Sequence, residues 1–246
     1  RKGVNRISLG LQSAVDEERR ALCRLSSAER VKECVELIRM NGIENITLDL
    51  MIGIPNQTKE SLLASLDFIK KLNVPHLSAY MLKLEEGTHF YKNADKLNIP
   101  SDDETADMYM LMCETLEDVG LMQYEISNFA KPSYESKHNL KYWHCEEYLG
   151  IGPAAHSYID GKRFFYDSDI DAFIAGSEPE FDDLGGSFEE RLMLALRLKE
   201  GFTGKITESL RKKAETFDGF VEVSENNIRL TRQGFLVSNE IISKLI

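Results

Sequence analysis

The sequence predicts an α/β protein: a partial (β/α) barrel, represented by its C-terminal portion, followed by a small α+β domain built like a winged helix. Three observations lead there. Strand-like and helix-like stretches alternate with short connections from Val4 to Gly120, the pattern of a parallel sheet. Each strand-like stretch has one apolar and one polar face, whereas an open parallel sheet covered on both sides calls for strands apolar on both. From Ser187 onward, two helical patterns, two short β runs and a further helical pattern follow in order. A barrel turns the polar faces into a lumen. A doubly wound sheet with those groups satisfied locally is the alternative.

The first strand runs from Val4 to Gln12, with Ile7, Leu9 and Leu11 on one face and Arg6, Ser8, Gly10 and Gln12 on the other. Ser26 and Glu29 read as a capping box for a helix carrying Val31, Cys34, Val35 and Ile38, with Gly42 as its stop. The second strand, Ile46 to Ile52, sets Ile46, Leu48, Leu50 and Ile52 against Thr47, Asp49 and Met51. Gly53-Ile54-Pro55 turns the chain, and Thr58 caps a helix with Leu62, Leu66, Ile69 and Leu72. A third strand, His76 to Leu82, places Leu77, Ala79 and Met81 opposite Ser78 and Tyr80. The next helix starts at Ser101, boxed by Glu104, and ends at Gly120. Gln12, Asp49, Ser78 and Tyr80 would face one cavity, and barrel chemistry gathers at the C-terminal ends of strands.

The expected domains are 1–125 for the barrel, 126–180 for a connecting segment and 181–246 for the winged-helix-like module. In the last, Ser187 and Glu190 cap a helix with Leu192, Ala195 and Leu196. Ile206, Leu210, Ala214 and Phe217 mark the next helix, before β runs at Phe220–Val223 and Ile228–Leu230 and a helix from Thr231 to Leu245. From Thr203 on, 7 Lys/Arg stand against 6 Asp/Glu, so the module is structural or protein-binding rather than a reader of DNA.

A net charge of −11 excludes a general binder of nucleic acid or anionic membrane. No apolar run reaches membrane-spanning length and no signal-peptide pattern is present. Cys23, Cys34, Cys113 and Cys145 show no CxxC and no metal-ligand spacing, the usage of reduced thiols in a cytoplasmic protein. Cys34 and Cys113 fall on apolar helix faces. The chain opens on Arg1-Lys2-Gly3 and enters a strand pattern at once, which reads as a fragment.

The stretch from Tyr124 to Tyr158 holds three of the five histidines, the only tryptophan and five tyrosines, without a clear helical or strand period. A long irregular segment is usually disordered or functional, and its aromatic content argues against disorder. Its chemistry suits a flat, partly apolar ligand that also takes a nitrogen ligand. A structural cluster, with Tyr and Trp filling a gap between domains, is the alternative.

Three blocks in order, NRISLGLQS (Asn5–Ser13), DLMIGIPNQT (Asp49–Thr58) and the Tyr124–Tyr158 segment, resemble the oxygen-independent coproporphyrinogen III oxidase family of radical S-adenosylmethionine (SAM) proteins. The HNLKYW run from His138 to Trp143 is similar to the HemW branch of that family, the haem chaperones. The resemblance spans roughly Gly3 to Tyr166. It implies a radical-SAM-type partial barrel with a 4Fe-4S cluster on a CxxxCxxC loop and SAM in the lumen. That loop does not occur in this sequence, so the resemblance implies cluster ligands outside these residues.

The resemblance makes Gln12, Arg24 and Asp49 the SAM contacts. Gln12 offers donor and acceptor, Arg24 could clamp a carboxylate, and Asp49 on a buried strand needs a partner. Without the resemblance, Asp49 reads as an internal ion pair with an arginine such as Arg6, and Arg24 as a surface residue. The resemblance also makes His138 a haem contact and iron ligand, with Tyr142 and Trp143 as aromatic walls and Asn139 orienting the ring or a propionate. His144 and His156 are weaker candidates, and His76 and His89 read as structural or solvent-facing. The family's GIGPGAHS appears as GIGPAAHS, a departure placed at Ala155.

Two functions follow from the resemblance. One is a haem chaperone handing haem to an acceptor protein, with peripheral contact to membrane proteins. The other is oxidative decarboxylation of coproporphyrinogen III by radical SAM chemistry. A scaffold that keeps the fold without a cluster is a third. The partners implied are a tetrapyrrole and an acceptor protein, not nucleic acid. A barrel lacking strands leaves an open edge, which invites dimerisation.

Overall fold

Alternation of apolar and small or polar side chains extends the backbone at the start of the chain, and in a computed structural model it forms β1 (Arg6–Gln12). The structure describes residues 3–246. They divide into two compact units, one ending at Glu135 and one from Ser136 to Ile246.

In the first unit, β1 leads through α1 (Asp16–Ala21) and α2 (Ala28–Met40) to β2 (Asn45–Ile52), then through α3 (Lys59–Leu72) to β3 (His76–Met81). α4 (His89–Lys92) and α5 (Asp102–Glu117) follow, then the short strands β4 (Met122–Gln123) and β5 (Asn128–Ala130). The five strands form one open sheet in the order β1-β2-β3-β5-β4. β1, β2 and β3 are parallel, and β5 returns antiparallel to β3. Ile46, Leu48, Leu50 and Ile52 are fully buried with Leu77 and Phe129, against Leu62, Leu66 and Ile69 of α3 and Met112 and Leu116 of α5. Each such side chain contributes about 1.5–3 kcal/mol relative to exposure. The capping boxes expected at Thr58 and Ser101 are both present, with Ser61 and Glu104 as their reciprocal partners.

Three expectations are corrected here. α2 is capped by Ser27, whose side chain accepts from Arg30 N, and not by Ser26. The Ser26 hydroxyl is engaged elsewhere, accepting from Arg19 Nη2 at 2.8 Å. α1 is an additional helix with no apolar stripe and no side-chain cap. Of the two cysteines placed on apolar faces, Cys113 is fully buried and Cys34 half-buried.

In the second unit, α6 (Lys137–Trp143) precedes β6 (His156–Ile159), β7 (Lys162–Phe165), α7 (Ile170–Ile174) and β8 (Glu180–Leu184). The three strands form an antiparallel sheet. The stretch expected to be irregular therefore holds a helix and the first strand of a hairpin. α8 (Phe188–Ala195), β9 (Phe202–Thr203), α9 (Glu208–Glu215), β10 (Val221–Val223), β11 (Asn227–Leu230), α10 (Arg232–Leu236) and α11 (Ser238–Leu245) complete the chain. The single helix expected from Thr231 to Leu245 is two, because Val237 leaves helical geometry at φ −118°, ψ 23°. β9 joins β10 and β11 in a second antiparallel sheet of three strands. Leu192, Leu196, Leu210, Ala214, Ile228, Phe235, Ile241 and Leu245 are among the buried side chains of this unit. Among the described residues no helix is long and apolar enough to cross a membrane.

Candidate functional site

Successive side chains of a strand point to opposite faces, so register decides which polar residues meet. Gly10 pairs with Asp49, and Asp49 with Ser78, which puts one polar row across the parallel strands on the face opposite the Ile46–Ile52 core. Ser8 Oγ donates to Asp49 Oδ1 at 3.3 Å. Burial raises the Asp49 pKa, while hydrogen bonds with Ser8 and Ser78 and the nearby charge of Arg24 pull it back down. Arg6 is not its ion-pair partner: Arg6 Nη1 donates to Tyr134 O at 2.9 Å.

The register of β1 shifts between Gly10 and Gln12, and Gln12 itself is left-handed at φ 60°. This bulge re-aims the side chain. The amide folds back over Gly10, where an added Cβ would stand 2.8 Å from Gln12 Oε1. Gln12 is 7% exposed, and its Oε1 is buried with no hydrogen-bond partner. An orphaned buried acceptor costs about 1–3 kcal/mol, and beside a carboxylate it fits a ligand that brings a cationic donor. Arg24 is exposed but acts on Asp49 through space. Gln12 and Asp49 therefore lie at the C-terminal end of β1 and on the polar face of β2, with Arg24 near enough for its charge to act on the carboxylate. Tyr80 is largely exposed at the end of β3.

His76 is fully buried with Nε2 2.8 Å from the Tyr124 hydroxyl, which makes it structural and not solvent-facing. The His89 side chain lies outside the described residues.

In the second unit, α6 displays His138 on its exposed side. The Tyr142 hydroxyl and His138 Nε2 are 2.8 Å apart, and their rings meet edge-on at 5.0 Å. Tyr148 extends the cluster, its ring 4.5 Å from that of Tyr142. Sequence reasoning counted Tyr148 among the tyrosines but gave it no role. Trp143 is not part of this group. Five residues on, it lies about 140° round the helix from His138, under the Arg197 guanidinium at 5.8 Å, where α6 packs against α8. Asn139 is half-buried, four residues before Trp143 on the same side of the helix. His144 Nδ1 lies 3.8 Å from Glu200. His156 stacks on Phe165 at 5.0 Å with Asp182 3.9 Å from its Nδ1.

In the GIGPAAHS turn the left-handed residue is Ala154, at φ 58°. It stands where the family's GIGPGAHS has its third glycine, so the departure falls on Ala154 and not on Ala155. The four cysteines are free and scattered, and among the described residues no three His, Cys, Asp or Glu side chains group as a metal site. They do not fit an iron–sulfur cluster.

Comparison with known proteins adds findings of three kinds. The radical SAM superfamily profile matches residues 1–69. A Bacillus subtilis protein named heme chaperone HemW is 35% identical over 99% of this chain and 70% of its own length. The protein of that name from Lactococcus lactis is 32% identical over 99% of this chain and 69% of its own. The Escherichia coli one is 40% identical over 69% of this chain and 43% of its own. Among solved structures, coproporphyrinogen III oxidase (HemN) from Escherichia coli, a radical SAM enzyme, superposes with a TM-score of 0.78. That match covers 99% of this chain and 64% of the other at 19% identity. At that identity the likeness is one of fold: this chain has the partial-barrel fold plus a small second domain.

Proposed function

This chain belongs to the HemW family of radical SAM proteins, and we propose from that premise that it is a haem chaperone, binding haem and passing it to an acceptor protein. The observation that carries the reading is the exposed His138 imidazole held by the Tyr142 hydroxyl at 2.8 Å. Haem iron accepts an imidazole nitrogen, and a hydrogen bond to the other ring nitrogen fixes the tautomer and orientation of such a ligand. His138 supplies the nitrogen, Tyr142 the orientation, and the Tyr142 and Tyr148 rings an aromatic wall. Asn139 is left to meet a propionate. Trp143 acts from behind, seating α6 on α8.

Gln12, Arg24 and Asp49 hold SAM in this reading. The orphaned Gln12 Oε1 and the Asp49 carboxylate take the methionyl ammonium, and Arg24 takes the carboxylate. In that family a 4Fe-4S cluster would supply the electron that reduces SAM. The four cysteines of this chain do not fit it. The acceptor is a protein met in the cytoplasm or at the periphery of membrane proteins. The open edge of β1 is the surface through which the chain would dimerise.

An anaerobic haem titration of the chain and of His138→Ala, followed at the Soret band, tests the proposal. Saturable one-to-one binding, weakened about tenfold or more by the substitution, is expected. Equal binding by both proteins removes His138 from the site. Protoporphyrinogen formed from coproporphyrinogen by SAM-loaded protein under reducing conditions refutes a chaperone-only role.

A further inference from the structure

α1 contributes a side chain that neither composition nor spacing marks. Arg19 is 1% exposed, although helices of this kind usually turn arginine outward, because a buried charge is costly unless fully hydrogen-bonded. Three of its four hydrogen bonds go to backbone carbonyls. Nη1 donates to Leu11 O, and to Ser13 O at 3.2 Å, the carbonyls two residues apart that flank Gln12. Nε donates to Ser26 O at 2.9 Å and Nη2 to Ser26 Oγ at 2.8 Å. Ser26 closes the loop that carries Arg24. The main chain adds to this, since Arg24 N donates to Arg19 O at 2.9 Å and Cys23 is left-handed at φ 56°, the Schellman geometry of a helix end.

We propose that Arg19 is a positioning residue, a single guanidinium that fixes the left-handed bulge presenting Gln12 and the loop presenting Arg24 in one register. A non-glycine residue at φ 60° persists only where its surroundings over-determine it. The bonds to the carbonyls on either side of Gln12 supply that restraint. The inference rests on the reading of Gln12 and Arg24 as SAM contacts, and it adds a residue that touches no ligand.

The test is calorimetric titration of SAM into the wild-type chain, Arg19→Met, Arg19→Lys, Gln12→Ala and Leu66→Ala, with hydrogen exchange followed by mass spectrometry. Met keeps length but no donor, Lys keeps charge and part of the bonding, and Leu66→Ala truncates the α3 core as a control for lost stability. Arg19→Met should weaken SAM about tenfold, with Arg19→Lys between it and wild type, and Leu66→Ala close to wild type. Exchange should rise at 11–13 and 22–27 in Arg19→Met, without a matching rise in β2 and β3. Affinity within twofold of wild type in Arg19→Met, while Gln12→Ala is weakened, overturns the proposal. So does an equal loss in Leu66→Ala, or unchanged exchange at the two segments. No SAM binding by wild type, or none of it sensitive to Gln12→Ala, refutes the SAM reading itself and the role of Arg19 with it.

Discussion

His76 lets the acid stability of the barrel unit be worked from its surroundings. Its ring is 1% exposed on β3, and its pKa is lowered from 6.5 to about 3, first by burial and second by the charge of Arg6. The unfolded ring takes a proton below pH 6.5, and the native ring refuses it. The stability due to neutral burial is therefore complete above the unfolded pKa and is lost progressively as pH falls towards about 3. Between about pH 7 and about pH 5 the unfolded state gains roughly a 25-fold advantage, or about 2 kcal/mol. That is a large share of an ordinary folding free energy. Urea unfolding of wild type and His76→Gln at both pH values, followed by far-UV circular dichroism, measures it. The Gln variant leaves an amide near Tyr124 but has nothing to titrate. Wild type should lose about 2 kcal/mol more than the variant on acidification. Equal losses, or an NMR titration in which the His76 ring protonates near its ordinary pKa, would refute the reasoning.

Two further predictions concern backbone positions. Gly10→Ala places a Cβ 2.8 Å from Gln12 Oε1 and 2.9 Å from Nε2, and only the flexible amide has to move. Alanine otherwise favours a strand by about 0.5–1 kcal/mol over glycine. Urea midpoints should therefore hold or rise, while SAM affinity falls about tenfold; a fall in stability with affinity intact would show that Gln12 does not sit over Gly10. Cys23 and Ala154 are left-handed at φ 56° and 58°, a conformation that costs side-chain-bearing residues about 1–2 kcal/mol. Cys23→Gly and Ala154→Gly should each stabilise the chain by about 1 kcal/mol net of glycine's entropy, read as a higher urea midpoint, and destabilisation would contradict the left-handed geometry.

The long elements were legible because their signals were redundant. In β2 the alternation of Ile46, Leu48, Leu50 and Ile52 with Thr47, Asp49 and Met51 allows only one register of faces. In α3 and α5 period and capping box agree. α1 lacked every signal: six residues, five of them charged, and a Val15 N-cap without a side-chain bond. β4 and β5, two and three residues long, are held by pairing that no local pattern announces. The misplaced cap has a tertiary cause, since Ser26 has the composition of a cap but Arg19 takes its hydroxyl. Arg19 itself was invisible for the same reason that α1 was, because only the fold turns it inward.

The HNLKYW run shows what a linear motif conceals. Read as a string, its histidine suggests a ligand, and its tyrosine and tryptophan two walls of one pocket. Wound into α6, His138 and Tyr142 fall on one side and Asn139 and Trp143 on another. The division has a mechanical consequence. A helix of seven residues has little stability of its own, so an imidazole on its exposed side is positioned only as well as the helix is seated. Trp143 beneath Arg197, at 5.8 Å, joins α6 to the α8 region by apolar burial and a cation–π contact worth about 0.5–2 kcal/mol. Tyr142, packed edge-on against Tyr148 at 4.5 Å, fixes the ring from the other side. An exposed histidine carried by so short a helix is held in a defined place because aromatic residues on both sides of the helix, and not the helix backbone, set its position.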